Sequence, residues 1–239
     1  MIPSFRYGLH PILPARLGFR RVIAMTNPAL AAVLAQTDAF TLVPARSRVT
    51  LARAAREALD RGVPGDFVEF GVHRGGTAAV LAALLKGAPG RTLHLFDRWG
   101  DLPEPTAADG AQEQRYARAN IPDKLRELAE DPPLDAAREL IERRIGFDRT
   151  RYYQGWYEDT LLAYAGAPIA FASVDCDYYD SVKPVLEFIR DHASPGAMML
   201  VDDYEGEWVG AKRATDEFCE RYGLKPEIIL NQALIRFPG

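Results

Sequence analysis

The chain has 239 residues, 48% of them hydrophobic, and carries 29 basic against 33 acidic side chains for a net charge of −4. That length and apolar content can build one sizeable core, and 26% charged residues exclude a wholly disordered chain. The slightly acidic balance excludes a protein whose main partner is nucleic acid. Two cysteines, Cys176 and Cys219, with no Cys-x-x-Cys pair, argue against a disulfide framework and against structural zinc. No apolar run reaches the roughly 18 residues of a membrane span. The short stretch 29-ALAAVLA-35 lies past Pro28 and reads as a helix turn or lid segment. A cytoplasmic protein without a membrane partner is expected.

In chain order, Pro3, Pro11, Pro14, Pro28 and Pro44 break the first 45 residues into short pieces with aromatics between them. Residues 1–45 read as an arm or lid that packs on something larger or on a second subunit. Residues 46–239 read as one domain. A helix is predicted from Ser47, its N-cap, to Arg61, with Val49, Ala52, Ala55 and Leu59 on one face. Strands are predicted at 66–71, 91–96, 150–154, 168–174 and 197–201. Helices are predicted between them at 76–86, 110–145, 156–165 and 178–192, and a further one from Val209 to about Tyr222. Apolar strands alternating with helices indicate a mainly parallel sheet covered on both faces. Two last strands, 226–230 and 233–237, are joined by Asn231 and Gln232, so they form an antiparallel hairpin. Ligands of such sheets sit outside the C-terminal strand ends.

The first strand ends in Glu69 and Gly71, and Gly75 and Gly76 open the next helix. Glu69 stands where a dinucleotide fingerprint has its first glycine. A carboxylate there disfavours a pyrophosphate and suits an ammonium or sulfonium. The second strand ends at Asp97, where two carboxylate oxygens can match a ribose diol. A nucleoside with positive charge and no phosphate is S-adenosylmethionine. The alternative is a plain glycine turn with a surface Asp.

Asp175 and Asp177 follow the fourth strand, and Asp202 and Asp203 follow the fifth. Up to four carboxylates then crowd one mouth and require a positive charge among them. Oxygen ligands with no nearby His favour Mg²⁺, or else Mn²⁺ or Ca²⁺. Neighbouring residues of a regular strand face opposite ways, so Asp202 and Asp203 can share an ion only if the strand has turned there. Helix capping by Asp177 and Asp203 is the bland alternative and accounts for one or two of the four. Cys176 reads as a small packing residue.

The pieces 65-GDFVEFGVHRGGT-77, 96-FDRWGDLPEP-105, 155-GWYEDTL-161, 173-SVDCDYYDSV-182, 195-PGAMMLVDDY-204 and 213-RATDEF-218 resemble the macrocin O-methyltransferase family, which methylates sugar hydroxyls of glycosylated natural products. The resemblance spans residues 65–218. It implies an α/β, Rossmann-like class I methyltransferase fold with a seven-stranded, mainly parallel sheet and an antiparallel C-terminal strand. It implies S-adenosylmethionine bound around Glu69, Gly71, Gly75, Gly76, Thr77, Asp97, Gly155, Trp156 and Asp175. It further implies Mg²⁺ held by Asp175, Asp202 and Asp203, with Asp177 as general base. Two features depart from the family: Arg98 replaces the usual Ser after the second-strand aspartate, and no His lies between His94 and His192. The charged stretch 106–148 is expected to cover the acceptor site.

The expected reaction is in-line transfer of a methyl group to a hydroxyl of a glycosylated small molecule, by a homo-oligomer. A rival from another class is a metal-dependent glycosyltransferase, in which Asp175 and Asp177 would hold a nucleotide-sugar cation. A third reading is a non-catalytic nucleoside-binding domain. Of the loop residues, Arg74 is expected to meet the cofactor carboxylate. Trp156 is expected either beside the adenine or in the core. His10, His94 and His192 are expected to be structural or superficial.

Overall fold

A computed structural model describes residues 18–100, 103–111, 133–206 and 209–239. Seven strands form one sheet: β1 (Asp66–Phe70), β2 (Leu93–Asp97), β3 (Thr150–Gln154), β4 (Ile169–Val174), β5 (Ala193–Val201), β6 (Glu227–Ile229) and β7 (Gln232–Arg236). Their order is β3-β2-β1-β4-β5-β7-β6. The first five run parallel, and β7 pairs antiparallel with both β5 and β6. All seven predicted strands are present, and the hairpin turn falls at Leu230 and Asn231.

Alternation along the strands divides the core in two. Phe67, Leu93, Leu95, Phe171, Met198 and Leu200 face one helical layer. That layer comprises α3 (Ala45–Asp60), α4 (Gly76–Leu85) and α5 (Pro133–Arg138), the last continuing as a π-helix over Glu139–Ile145. Val68, Phe70, Phe96, Val174, Met199 and Val201 face α7 (Tyr179–His192) and α8 (Val209–Tyr222). The predicted helix at 156–165 is shorter, an α-turn α6 (Tyr157–Thr160) and a 3-10 turn (Leu161–Ala163). Of the predicted helix 110–145, residues 112–132 lie outside the described residues.

The start of α3 differs from expectation. The helix begins at Ala45 after Pro44, so Ser47 is not its N-cap but a buried residue of its first turn. Ahead of it, α1 (Phe19–Thr26) and α2 (Pro28–Thr37) lay Ile23 and Leu34 onto Val49 and Ala52 of α3 and Val80 of α4. This packing hangs on Arg48, which is 3% exposed. Its guanidinium donates to the Val43 carbonyl at 3.1 Å and the Leu34 carbonyl at 3.2 Å, to Thr37 Oγ1, and to Asp38 at 2.5 Å. Among the described residues no helix is long and apolar enough to cross a membrane.

Arg48→Met removes every one of these donors and leaves two carbonyls without them. It should cost about 2–4 kcal/mol in chemical denaturation and loosen residues 18–44 ahead of the sheet in hydrogen exchange.

Candidate active site

Glu69 lies on β1, facing the same side as Phe67, and is completely buried. Neither carboxylate oxygen has a hydrogen-bond partner of ordinary geometry. Burial pushes its pKa up to about 8 and Asp97 adds to the rise, while the Thr77 and Ser173 hydroxyls work against it. A buried carboxylate with both oxygens orphaned is matched to a ligand cation.

Asp97, at the end of β2, is by contrast fully engaged. Its Oδ2 accepts from the backbone N–H groups of Val72 (2.6 Å) and His73 (2.7 Å), and its Oδ1 from that of Trp99 (2.6 Å). Trp99 Nε1 donates back to the His73 carbonyl at 2.8 Å. His73 and Trp99 both have positive φ, so this carboxylate fixes a strained pair of turns. A carboxylate offers about four lone-pair sites. Three are taken, so Asp97 in this arrangement can receive one ribose hydroxyl rather than clasp two.

The glycines also serve the protein's own packing. A Cβ on Gly71, whose φ is +80, would run into the Asp175 carbonyl. One on Gly75 would press on Ala137, and one on Gly76 on Thr41 and the Phe40 carbonyl. The loop is thus wedged between β4, α5 and the N-terminal segment. Arg74 stacks on Phe40 with its guanidinium carbon 5.7 Å from the ring centre.

At the end of β3, Gly155 turns the chain at φ +144. Trp156 follows and is 43% exposed, which overturns its expected alternative place in the core. The Arg98 guanidinium carbon stands 4.1 Å from its ring centre. The arginine that departs from the family pattern therefore covers an open indole face.

The fourth and fifth strand ends bring the aspartates together. The sheet ladder continues through Asp175 N–H to the Phe70 carbonyl and Asp202 N–H to the Val174 carbonyl, each at 2.8 Å. The chain then turns sharply, with Asp177 at φ 59 and Asp203 at φ 55. Such values are uncommon for a non-glycine residue and free Asp203 from the alternation that opposes it to Asp202. Asp175, Asp177 and Asp203 each offer an oxygen within 4.8 Å of the others. This grouping differs from the expected one, for it contains Asp177 and leaves Asp202 beside it. Asp202 Oδ1 accepts from Asn231 Nδ2 at 3.0 Å.

The three grouped side chains are half-buried: solvent still touches them, although surrounding protein is deep enough for desolvation to dominate. Burial, then Asp202, Asp177, Asp203 and Glu69, push Asp175 well above the ordinary carboxylate range. Burial and the charges of Asp203, Asp202 and Asp97 hold Asp177 at about 8. Burial also raises Asp202, against donors from Asp203, Gln232 and Asn231. Among the described residues, no ion pair reaches Asp175, Asp177 or Asp202. The residues present therefore fit a divalent cation, since hard oxygens at like charge are joined by nothing else as well.

Capping does not explain Asp177. The N–H of Tyr179 at the start of α7 is taken by Asp109 Oδ1 at 2.7 Å, while Asp109 Oδ2 accepts from Thr106 N–H at 2.8 Å. Asp109 is one of the residues that sequence reasoning missed; no local spacing links it to a helix 70 positions on. Tyr157 is another, its hydroxyl 3.2 Å from Cys176 Sγ. Cys176 is buried as expected. Away from this mouth, His94 is buried between Asp66 (3.1 Å) and the Tyr153 hydroxyl (3.0 Å) and is structural. His10 lies outside the described residues.

A sheet of this order, with an acidic glycine loop at β1 and acids at the ends of its neighbours, defines a class I methyltransferase. The solved O-methyltransferase NovP superposes with a TM-score of 0.71 at 21% identity, over 84% of this chain and 83% of that one. Residues 32–232 match the family model of macrocin O-methyltransferase. A Streptomyces olivaceus 8-demethyl-8-(2,3-dimethoxy-α-L-rhamnosyl)-tetracenomycin-C 4'-O-methyltransferase is 30% identical over 193 residues, 80% of this chain and 71% of the relative. The Micromonospora griseorubida mycinamicin III 3''-O-methyltransferase is 28% identical over 200 residues, 81% of this chain and 75% of the relative. The chain belongs to the macrocin O-methyltransferase family and is an S-adenosylmethionine-dependent O-methyltransferase. The glycosyltransferase and non-catalytic readings are thereby set aside.

The raised carboxyl groups predict an unusual pH dependence. A group whose folded pKa is raised stabilises fully below its unfolded value near 4, and that contribution is lost as pH rises through the folded value, here about 8 for Glu69 and Asp177. Metal-free, cofactor-free protein should melt on the order of 5 °C lower at pH 8 than at pH 5.5. Scanning calorimetry should show Glu69→Gln recovering part of this loss while S-adenosylmethionine binds it roughly 10–100-fold more weakly.

Proposed function

We propose that the enzyme methylates a sugar hydroxyl of a glycosylated natural product and needs a divalent cation, Mg²⁺, to do so. The observation that carries this reading is the gathering of four aspartates from two neighbouring strand ends, three within 4.8 Å, beside the orphaned Glu69. The acceptor class is supported by relatives named for oxygens of a rhamnosyl tetracenomycin and of mycinamicin III.

In this reading Glu69 receives the cofactor ammonium and Asp97 one ribose hydroxyl. The Gly75–Gly76 turn and Thr77 line the methionine end, and Gly155 with the partly exposed Trp156 lies at the adenine. Asp175, Asp202 and Asp203 hold the cation. When bound, the cation lowers the pKa of an acceptor hydroxyl and fixes that oxygen. Asp177 takes the hydroxyl proton. Its place beside the proposed cation ligands puts it next to the oxygen that the cation would fix. The remaining requirement is alignment of oxygen, methyl carbon and sulfur. Residues 1–45 act as a lid on the domain 46–239. This is supported by Phe40 and Thr41, which fill the space beside Gly76.

The test is methyl transfer to a panel of glycosylated acceptors with and without chelator, alongside calorimetric titration of S-adenosylmethionine. Chelation should abolish turnover and leave cofactor binding intact; full turnover in chelator overturns the metal. Asp177→Asn should keep the cation and lower kcat by about 10²–10⁴-fold. Loss of cation binding in that variant would make Asp177 a ligand, as its place in the group allows.

A further inference from the structure

We propose that the β6–β7 turn is the device that aims Asp202 at the cation, with Asn231 as positioning residue and Ser47 as the group that sets its orientation. The inference rests on the reading of Asp202 as a ligand. Antiparallel pairing matches Val201 to Ala233, so the turn preceding β7 lies beside the residues following β5. Asn231 Nδ2 donates to Asp202 Oδ1 at 3.0 Å. The other end of the same carboxamide, Oδ1, accepts from Ser47 Oγ at 3.2 Å. A carboxamide can be placed either way round, and a hydroxyl donor on its oxygen fixes the nitrogen toward the carboxylate. The Asn231 carbonyl also accepts from Glu205 N–H at 3.1 Å, which ties the loop after Asp202 to the turn. The Gln232 side chain, next along the chain, also works against the rise in the Asp202 pKa. It is 3% exposed, and its Oε1 has no partner.

The chemistry of these donors is selective. A lysine or arginine in their place would orient Asp202 but would also cancel the charge a cation needs. Neutral amides occupy lone pairs on one side of the carboxylate and leave its charge available on the other. Outer donors of this kind commonly account for 10–100-fold in metal affinity. The device also explains why Ser47, on a helix far away in sequence, is buried at 2% exposure against the hairpin.

The experiment is titration of the full-length chain with Mn²⁺, read by electron paramagnetic resonance, with S-adenosylmethionine affinity measured in parallel. Asn231→Ala should weaken Mn²⁺ by about 10–100-fold with cofactor affinity unchanged. Ser47→Ala, which leaves the turn backbone intact, should weaken it less, and Ser47→Thr should restore it. The double variant should lose no more than Asn231→Ala alone, because the serine acts only through the amide. If Asp202→Asn abolishes Mn²⁺ binding while Asn231→Ala and Ser47→Ala leave it at the wild-type value, the positioning role is wrong and the ligand reading stands. If Asp202→Asn itself binds Mn²⁺ normally, the ligand reading falls and this inference with it. Should Asn231→Ala fail to fold, the Ser47 pair decides alone.

Discussion

Electrostatic repulsion at one edge of the sheet governs the rest of the molecule. Glu69, Asp97, Asp175, Asp177, Asp202 and Asp203 all lie at or next to the C-terminal ends of four strands that are neighbours in the order β2-β1-β4-β5. Several are dealt with by neutral devices. Three backbone N–H groups hold Asp97, the Asn231 carboxamide holds Asp202, and left-handed turns carry Asp177 and Asp203 out of the strand alternation. Glu69 receives almost nothing. Among the described residues Glu69, Asp175, Asp177 and Asp202 are thus gathered with no ion pair. Burial raises all four pKa values and neighbouring charges add to the rise at the first three, so a cationic ligand would be met by groups ready to release protons as it binds.

The surrounding architecture keeps that arrangement rigid. The glycine loop has protein on every side where a side chain would grow, from Asp175, Ala137, Phe40 and Thr41. Asp97 therefore holds a loop that is already confined, and strain at His73 and Trp99 is balanced by hydrogen bonds at both ends of the turn. Arg48 performs a similar service for the N-terminal helices, because its donors tie the Leu34 and Val43 carbonyls, Thr37 and Asp38 to α3.

Short apolar runs alternating with helical stretches marked the central strands, since burial on both faces leaves a continuous apolar signal that local sequence carries. The acids at the strand ends were legible for the same reason: their distance from the strand is one or two residues. What escaped was non-local. Ser47 reads as an N-cap until Asn231, 184 residues later, is seen to take its hydroxyl. Asp177 reads as a cap until Asp109 is found on the α7 N-terminus. Trp156 is ambiguous in sequence, for an indole suits a core as well as a surface, and only its exposure in the fold decides. The choice between Asp177 and Asp202 as members of the tight group depended on two backbone dihedral angles, which no spacing encodes.

Asp109 is a mooring. It joins the segment before residue 112 to the first turn of α7, and Gly210 at the start of α8 leaves room for it, since a Cβ there would overlap its Oδ1. Asp109 thus braces the turn that carries Asp177 from two helices at once: its Oδ1 is held at the α7 N-terminus and packed against the glycine that opens α8. A larger residue at Gly210 would push on Asp109 and, through it, on the backbone two residues from Asp177.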